Sequence, residues 1–182
     1  MVALQSNELL KNFSCPSFSL PSVDNKNYVL ADFDKSKALL VLFICNHCPY
    51  VKALEQRIIA LRKKYSIGDL AMVAVCSNDA QKYPEDSKEA LYERWLKQDY
   101  GFPYLIDEDQ KVAQAFDAVC TPDIFLFDTN RKLFYHGQFD DNWRDYSQVK
   151  KHNLADAIDM LLSNKDYKEK QVPSLGCSIK WK

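Results

Sequence analysis

Two cysteines separated by two residues, Cys45-Asn46-His47-Cys48, carry the clearest chemistry in this chain, and Pro49 follows them directly. A CxxC on the turn between a buried strand and a helix reads as a dithiol/disulfide redox site. In this reading Cys45 falls at a helix N-terminus, where unpaired N–H groups and the macrodipole favour a thiolate. Cys48 lies one turn further on, close enough to close a ring with it. Pro49 suits an early helical position, because its missing N–H has no helical partner to lose. Asn46 and His47 sit between the thiols and are placed to tune them. An imidazolium beside a dithiol stabilises the thiolate, and with it the reduced form.

The elements that must hold this pair lie on either side of it. Residues 37–44 form a continuous apolar run, as expected of a strand covered on both faces. Residues 49–64 carry an amphipathic helical pattern, and Leu70–Cys76 reads as a second buried strand. Strand, helix and strand make a βαβ unit, so the two strands should be parallel with a right-handed crossover. Upstream, residues 17–21 and 27–30 read as a short hairpin. Downstream come a polar connection over 79–86, a helix over 87–98 with Leu91, Trp95 and Leu96 on one side, a short strand over 102–106 and a short helix over 109–116. Residues 124–127 and 133–136 form an antiparallel hairpin across a short polar link, and 154–162 a last helix capped by Asn153.

The chain has 182 residues and a formal net charge of −1. This suits one domain spanning 1–182, with a core over about 16–163 and a C-terminal tail over 164–182. Near-neutral charge gives no electrostatic case for a nucleic-acid or membrane partner. Residues 1–14 lack a basic segment leading into a long apolar one, and no apolar run approaches the length of a membrane span. The expected compartment is the cytoplasm. There the six cysteines, Cys15, Cys45, Cys48, Cys76, Cys120 and Cys177, should mostly be free thiols, and a CxxC suggests catalysis. A structural zinc needs about four ligands, and no second CxxC or His pair is present. No metal and no organic cofactor is expected.

The order of elements, together with Phe18-Ser19-Leu20-Pro21, the stretch Phe43 to Lys52, Ser77-Asn78-Asp79, Phe102-Pro103-Tyr104-Leu105, Cys120-Thr121-Pro122-Asp123 and Gly176-Cys177-Ser178-Ile179-Lys180-Trp181-Lys182, resembles the peroxiredoxin-like branch of the thioredoxin superfamily, within the alkyl hydroperoxide reductase/thiol-specific antioxidant group. The resemblance implies a thioredoxin-like α/β/α fold with a mixed central sheet, an N-terminal hairpin and a C-terminal tail. It makes Cys45 the attacking thiol and Cys48 the resolving one, in exchange with protein or small-molecule disulfides and with electrons from a thiol donor. It makes Pro122 a cis-proline facing the dithiol, with the Thr121 backbone able to pair with an extended substrate segment. His directly before the second Cys is similar to the pattern of strongly oxidising thioredoxin-fold proteins, so a site more oxidising than thioredoxin is expected.

Several residues keep two readings. Cys120 alternates with Thr121 along extended chain and reads first as a structural thiol. Cys177 follows Gly176 in a terminal tail, a flexible setting from which a thiol can reach the active site; the other reading is a docked tail anchored by Ile179 and Trp181. Both stay candidates for a third redox thiol. No acid lies in 37–44 to serve as the buried proton-transfer carboxylate of thioredoxins; Glu55, Asp79 or a water are the substitutes. The acidic and aromatic loop over 138–144 is either a partner surface or a solvated loop. The Pro-x-x-x-Thr-x-x-Cys signature of peroxiredoxins is absent: ending it at Cys48 places Val41 and Cys45, and ending it at Cys45 places Ala38 and Leu42, where Pro and Thr belong. The leading function is thiol–disulfide oxidoreduction. The alternatives are a weak thiol peroxidase and a non-catalytic binding module.

Overall fold

The computed structural model describes residues 3–8 and 12–182. In chain order the strands and helices are β1 (Ala3–Gln5), β2 (Ser19–Pro21), β3 (Asn27–Val29), β4 (Ala38–Phe43), α1 (Pro49–Lys64), β5 (Leu70–Cys76), α2 (Lys88–Gln98), β6 (Tyr104–Ile106), α3 (Lys111–Ala115), β7 (Cys120–Thr121), β8 (Asp123–Phe127), β9 (Leu133–His136), α4 (Asn153–Leu162) and β10 (Leu175–Ser178). The central sheet has the order β6-β5-β4-β8-β9. β4 pairs with β5 in parallel, Leu40 opposite Met72, and with β8 antiparallel, Leu40 opposite Leu126. The sheet is therefore mixed, and β4 is its middle strand.

Every residue of β4 is buried, and the alternation of its side chains divides the core in two. Leu40, Leu42 and Ile44 point to the layer of α1, α2 and α4, against Val51, Leu54, Ile58, Leu91 and Ile158. Leu39, Val41 and Phe43 point to the opposite layer, against Phe116 beside α3 and Phe18 and Leu20 of the β2–β3 hairpin. Each of these leucines contributes about 1.5–3 kcal/mol by leaving water. The result is the three-layer α/β/α arrangement of a thioredoxin-like fold.

Local chemistry sets the element ends. Ser87 caps α2 by accepting from the Ala90 N–H at 3.3 Å. Arg62, Lys63 and Lys64 lie in the last turn of α1, where the dipole favours cations. Three sequence expectations shift. α1 begins at Pro49 with Cys48 as its N-cap, so Cys45 precedes the helix and does not lie at its N-terminus. Asn153 is the first residue of α4 rather than its cap, and its side chain accepts from Gln138. On α2, Leu91 is buried but Leu96 is exposed.

Of the two readings of the C-terminal tail, the structure shows the docked one: β10 lies antiparallel between β1 and β7, with Cys177 opposite Ala3 on one side and Thr121 on the other. Ile179 donates to the Val119 carbonyl at 2.9 Å, and Lys180 N–H to Asn78 Oδ1 at 2.8 Å. Of the two expected anchors, Ile179 is buried and Trp181 is exposed. Among the described residues, no helix is long and apolar enough to cross a membrane.

Candidate functional site

β4 delivers the chain into the loop of residues 44–48, and α1 carries it away; Cys45 and Cys48 sit on that loop, 1% and 0% exposed. Each thiol is the largest influence on the other's titration. β7 and β8 meet over them at the Thr121–Pro122 bond, which is cis. The Cys45 sulfur lies 3.3 Å from Thr121 Oγ1. The Cys48 sulfur lies 3.0 Å from the Thr121 carbonyl oxygen and 3.0 Å from the sulfur of Cys177. Three thiols and Thr121 thus share one buried spot. Cys120, the other candidate third thiol, is buried with its sulfur 3.5 Å from the Pro122 carbonyl. Cys76 is core at the end of β5.

The electrostatics separate the two cysteines of the pair. Hydrogen bonding from Cys45 lowers Cys48 from the ordinary 9.0 to about 5, against the effect of burial, and the Cys177 thiol and the amides of Val51 and Cys177 add to it. Its place as N-cap of a sixteen-residue helix points the same way. Cys45 is pushed well above 9.0 by its bond to Cys48, by burial and by the charge of Asp86. Cys177 is raised to about 12, chiefly by burial. The single thiolate of the cluster therefore belongs on Cys48. The helix-end argument that favoured Cys45 applies to its partner, because the helix starts four residues later.

Asp86 is the functional-site residue that sequence reasoning missed. It ends the short 3-10 turn Pro84–Asp86 ahead of α2 and is 2% exposed. One carboxylate oxygen accepts from the Asn46 backbone N–H at 2.8 Å. The other lies 2.6 Å from His47 Nδ1 and accepts from Asn78 Nδ2 at 2.8 Å. Asn46 is held further by donating its amide to the carbonyls of Glu85 and Ala90 at 2.9 and 3.0 Å. His47 stacks on Tyr83 with ring centroids 5.2 Å apart. Its pairing with a carboxylate offsets any charge it could lend to the thiols. Its Nε2 is buried without a partner. The substitutes considered from the sequence are engaged elsewhere: Glu55 with Arg94 at 2.6 and 2.8 Å and Tyr100 at 2.7 Å, Asp79 with Lys82 at 2.9 Å.

Among the described residues, Cys45, His47 and Asp86 form a group whose ligand atoms lie within 4.8 Å of one another, close enough to hold a cation. Three donors fall short of the four of a structural zinc site, and His47 Nδ1 is already bonded to Asp86. The loop over 138–144 is pinned to α1: Arg57 pairs with Asp140 at 2.6 Å and donates to the carbonyls of Asn142 and Trp143, while Trp143 packs on Tyr50 with ring centroids 4.2 Å apart.

The substrate edge expected at Thr121 is occupied by the chain itself. Cys177 of β10 pairs opposite Thr121 in antiparallel register, in the position an extended substrate segment would take. A Cβ built on Gly176 would stand 2.2 Å from the Thr121 carbonyl oxygen, so only glycine lets β10 approach so closely.

Comparison with known proteins places this geometry. No curated protein matches the sequence. An uncharacterised conserved protein of Geobacillus kaustophilus is 42% identical, with a TM-score of 0.94 over 100% of this chain and 97% of its own. A hypothetical protein of Sinorhizobium meliloti is 43% identical, with a TM-score of 0.93 over 98% of each chain. A thioredoxin-family thiol:disulfide interchange protein of Chlorobium tepidum, 17% identical, shares the fold with a TM-score of 0.65 over 85% of this chain and 99% of its own. The redoxin family model matches residues 10–158, most of the chain, and the chain belongs to the redoxin family.

Proposed function

We propose that this chain is a thiol–disulfide oxidoreductase whose redox pair is Cys45 and Cys48. The observation that carries the reading is the convergence of both buried sulfurs on Thr121, with Cys48 at the N-cap position of α1 and its thiol lowered to about 5. Membership of the redoxin family supports a redox role. The Cys48 thiolate attacks a substrate disulfide, forming a mixed disulfide and releasing one half of the substrate as a thiolate. Cys45 then attacks the Cys48 sulfur, its proton passing to the leaving sulfur, and the second half departs. The chain ends with a Cys45–Cys48 disulfide, and the substrate has gained two electrons. A thiol donor runs the same steps backwards to restore the dithiol. This assigns the attack to Cys48, the reverse of the order that the resemblance implies, because the helix end faces Cys48 and Asp86 disfavours a thiolate on Cys45. A favoured Cys48 thiolate stabilises the reduced form and makes the pair oxidising.

A second reading, thiol peroxidase, gains support from the near-total burial of both sulfurs, which admits a small oxidant more easily than a protein disulfide. There the Cys48 thiolate takes one peroxide oxygen, becoming a sulfenic acid as the alcohol leaves, and Cys45 condenses with it, releasing water.

The test is single turnover with a chromogenic aromatic disulfide. The pre-reduced chain should release both halves of the reagent and finish with a Cys45–Cys48 cross-link, and Cys48→Ser should release neither. Release that survives Cys48→Ser, or no release from the wild type, overturns the proposal. Faster oxidation by peroxide than by the disulfide selects the second reading.

A further inference from the structure

We propose that Cys177 is a third redox thiol, one that forms a disulfide with Cys48 and thereby ties the C-terminal strand across the start of α1. The inference deepens the proposed dithiol chemistry and rests on Cys48 being the thiolate.

Cys48 and Cys177 sulfurs stand 3.0 Å apart, about 1 Å beyond bonding length, and both residues are buried. Their approach is built by several independent features. Cys177 is directly opposite Thr121 in the β7–β10 ladder, so their side chains leave the same face, and the Thr121 hydroxyl already lies 3.3 Å from Cys45. Gly176 removes the Cβ that would hold the strand away, and backbone bonds at Ile179 and Lys180 fix the strand beyond it. Asn78 joins both halves of the site: its amide donates to Asp86, which anchors the CxxC loop, and its oxygen accepts from Lys180 on the tail. The strand is thus positioned by the same network that positions the dithiol.

The chemistry needs a disulfide oxidant, for which glutathione disulfide serves. The Cys48 thiolate attacks it, forming a Cys48–glutathione mixed disulfide and releasing one glutathione thiolate. Cys177 then attacks the Cys48 sulfur, its proton passes to the second departing glutathione, and the Cys48–Cys177 bond forms. Two electrons leave the chain and reduce one glutathione disulfide to two thiols. Cys45 and Cys177 compete for the same sulfur. Resolution by Cys45 leaves the tail free, whereas resolution by Cys177 holds β10 covalently over the Thr121 edge.

Full-length Cys45→Ser, Cys177→Ser and the double variant would be oxidised with glutathione disulfide, alkylated, digested and mapped by mass spectrometry. The Cys45→Ser chain should yield a Cys48–Cys177 cross-link and release both glutathiones. The double variant should stall as a glutathione adduct on Cys48. A Cys45→Ser chain that itself stalls as that adduct, with Cys177 fully alkylated, overturns the inference. The wild type gives an arm free of any folding defect: its partly oxidised digest should contain Cys48–Cys177 peptides beside Cys45–Cys48 ones. A wild type whose Cys177 stays fully alkylatable at every stage of oxidation contradicts it. The absence of a Cys45–Cys48 cross-link in the wild type would instead overturn the proposed function.

Discussion

Replacing Gly176 with alanine probes the contact that closes the site. The added Cβ would stand 2.2 Å from the Thr121 oxygen, 2.5 Å from its carbonyl carbon and 3.0 Å from the Pro122 nitrogen, all backbone atoms that cannot turn aside. Carbon–carbon contacts settle at about 3.5–4.0 Å, so β10 must retreat by at least about 1 Å. That is enough to break its hydrogen bonds to β7, since a donor and acceptor near 3 Å apart would pass the limit of a useful bond. Overpacking of this kind costs about 1–3 kcal/mol. If the cost falls on the docked tail, the population with β10 lifted rises about 5–150-fold. Cys48 is 0% exposed beneath that strand, so its alkylation by a small maleimide in the reduced chain should accelerate by a similar factor. Hydrogen exchange across 174–179 should accelerate with it. Alkylation and exchange both within about twofold of wild type would refute the reasoning, because β10 would then not be what shields the thiolate.

Three further outcomes are expected. Cys48 is lowered from 9.0 to about 5, so the ultraviolet absorbance of its thiolate should persist at neutral pH, fade as the pH falls through about 5, and be missing in Cys48→Ser. Asp86→Asn keeps the shape of the side chain but removes the charge that His47 and two further donors share; a urea melt should lose about 1.5–3 kcal/mol. Because the Asp86 charge raises Cys45, the same change in a Cys48→Ser background should move the Cys45 alkylation profile to lower pH. His136→Ala removes the 2.7 Å hydrogen bond to Asp123, which is 0% exposed and keeps the Ile124 N–H; the melt should lose about 1–3 kcal/mol.

The sheet and its helices were legible because their signals are periodic or local. The unbroken apolar run before Cys45 has the length of a strand and reads as one covered on both faces, and the helix after it begins where Pro49 stands. That proline also held the information that was passed over: Pro at the first helical position makes the preceding residue the cap, and hence makes Cys48 the thiol at the helix end. Asp86 left no comparable trace. It lies in a polar connection, and its approach to Asn46 spans 40 residues of sequence. The docked tail was one of the two sequence readings, but its pairing as a strand escaped for the same reason. Gly176 and Cys177 look like flexible chain until the strand pairs 56 residues away with Thr121, and a four-residue strand carries too short a pattern to announce itself. Gly176 reads as a flexible joint in the sequence, whereas in the fold it supplies space for a close backbone contact.

The central claim is that Cys45 and Cys48 are a working redox pair poised by the Cys48 thiolate. Equilibrating the purified chain with glutathione buffers and trapping its thiols tests this most directly, with Cys48→Ser alongside. A reversible two-electron couple above the thioredoxin value of about −270 mV, lost in Cys48→Ser, is the predicted result. No couple across the attainable range would contradict the account and leave a thioredoxin-fold binding module whose cysteines do no redox work.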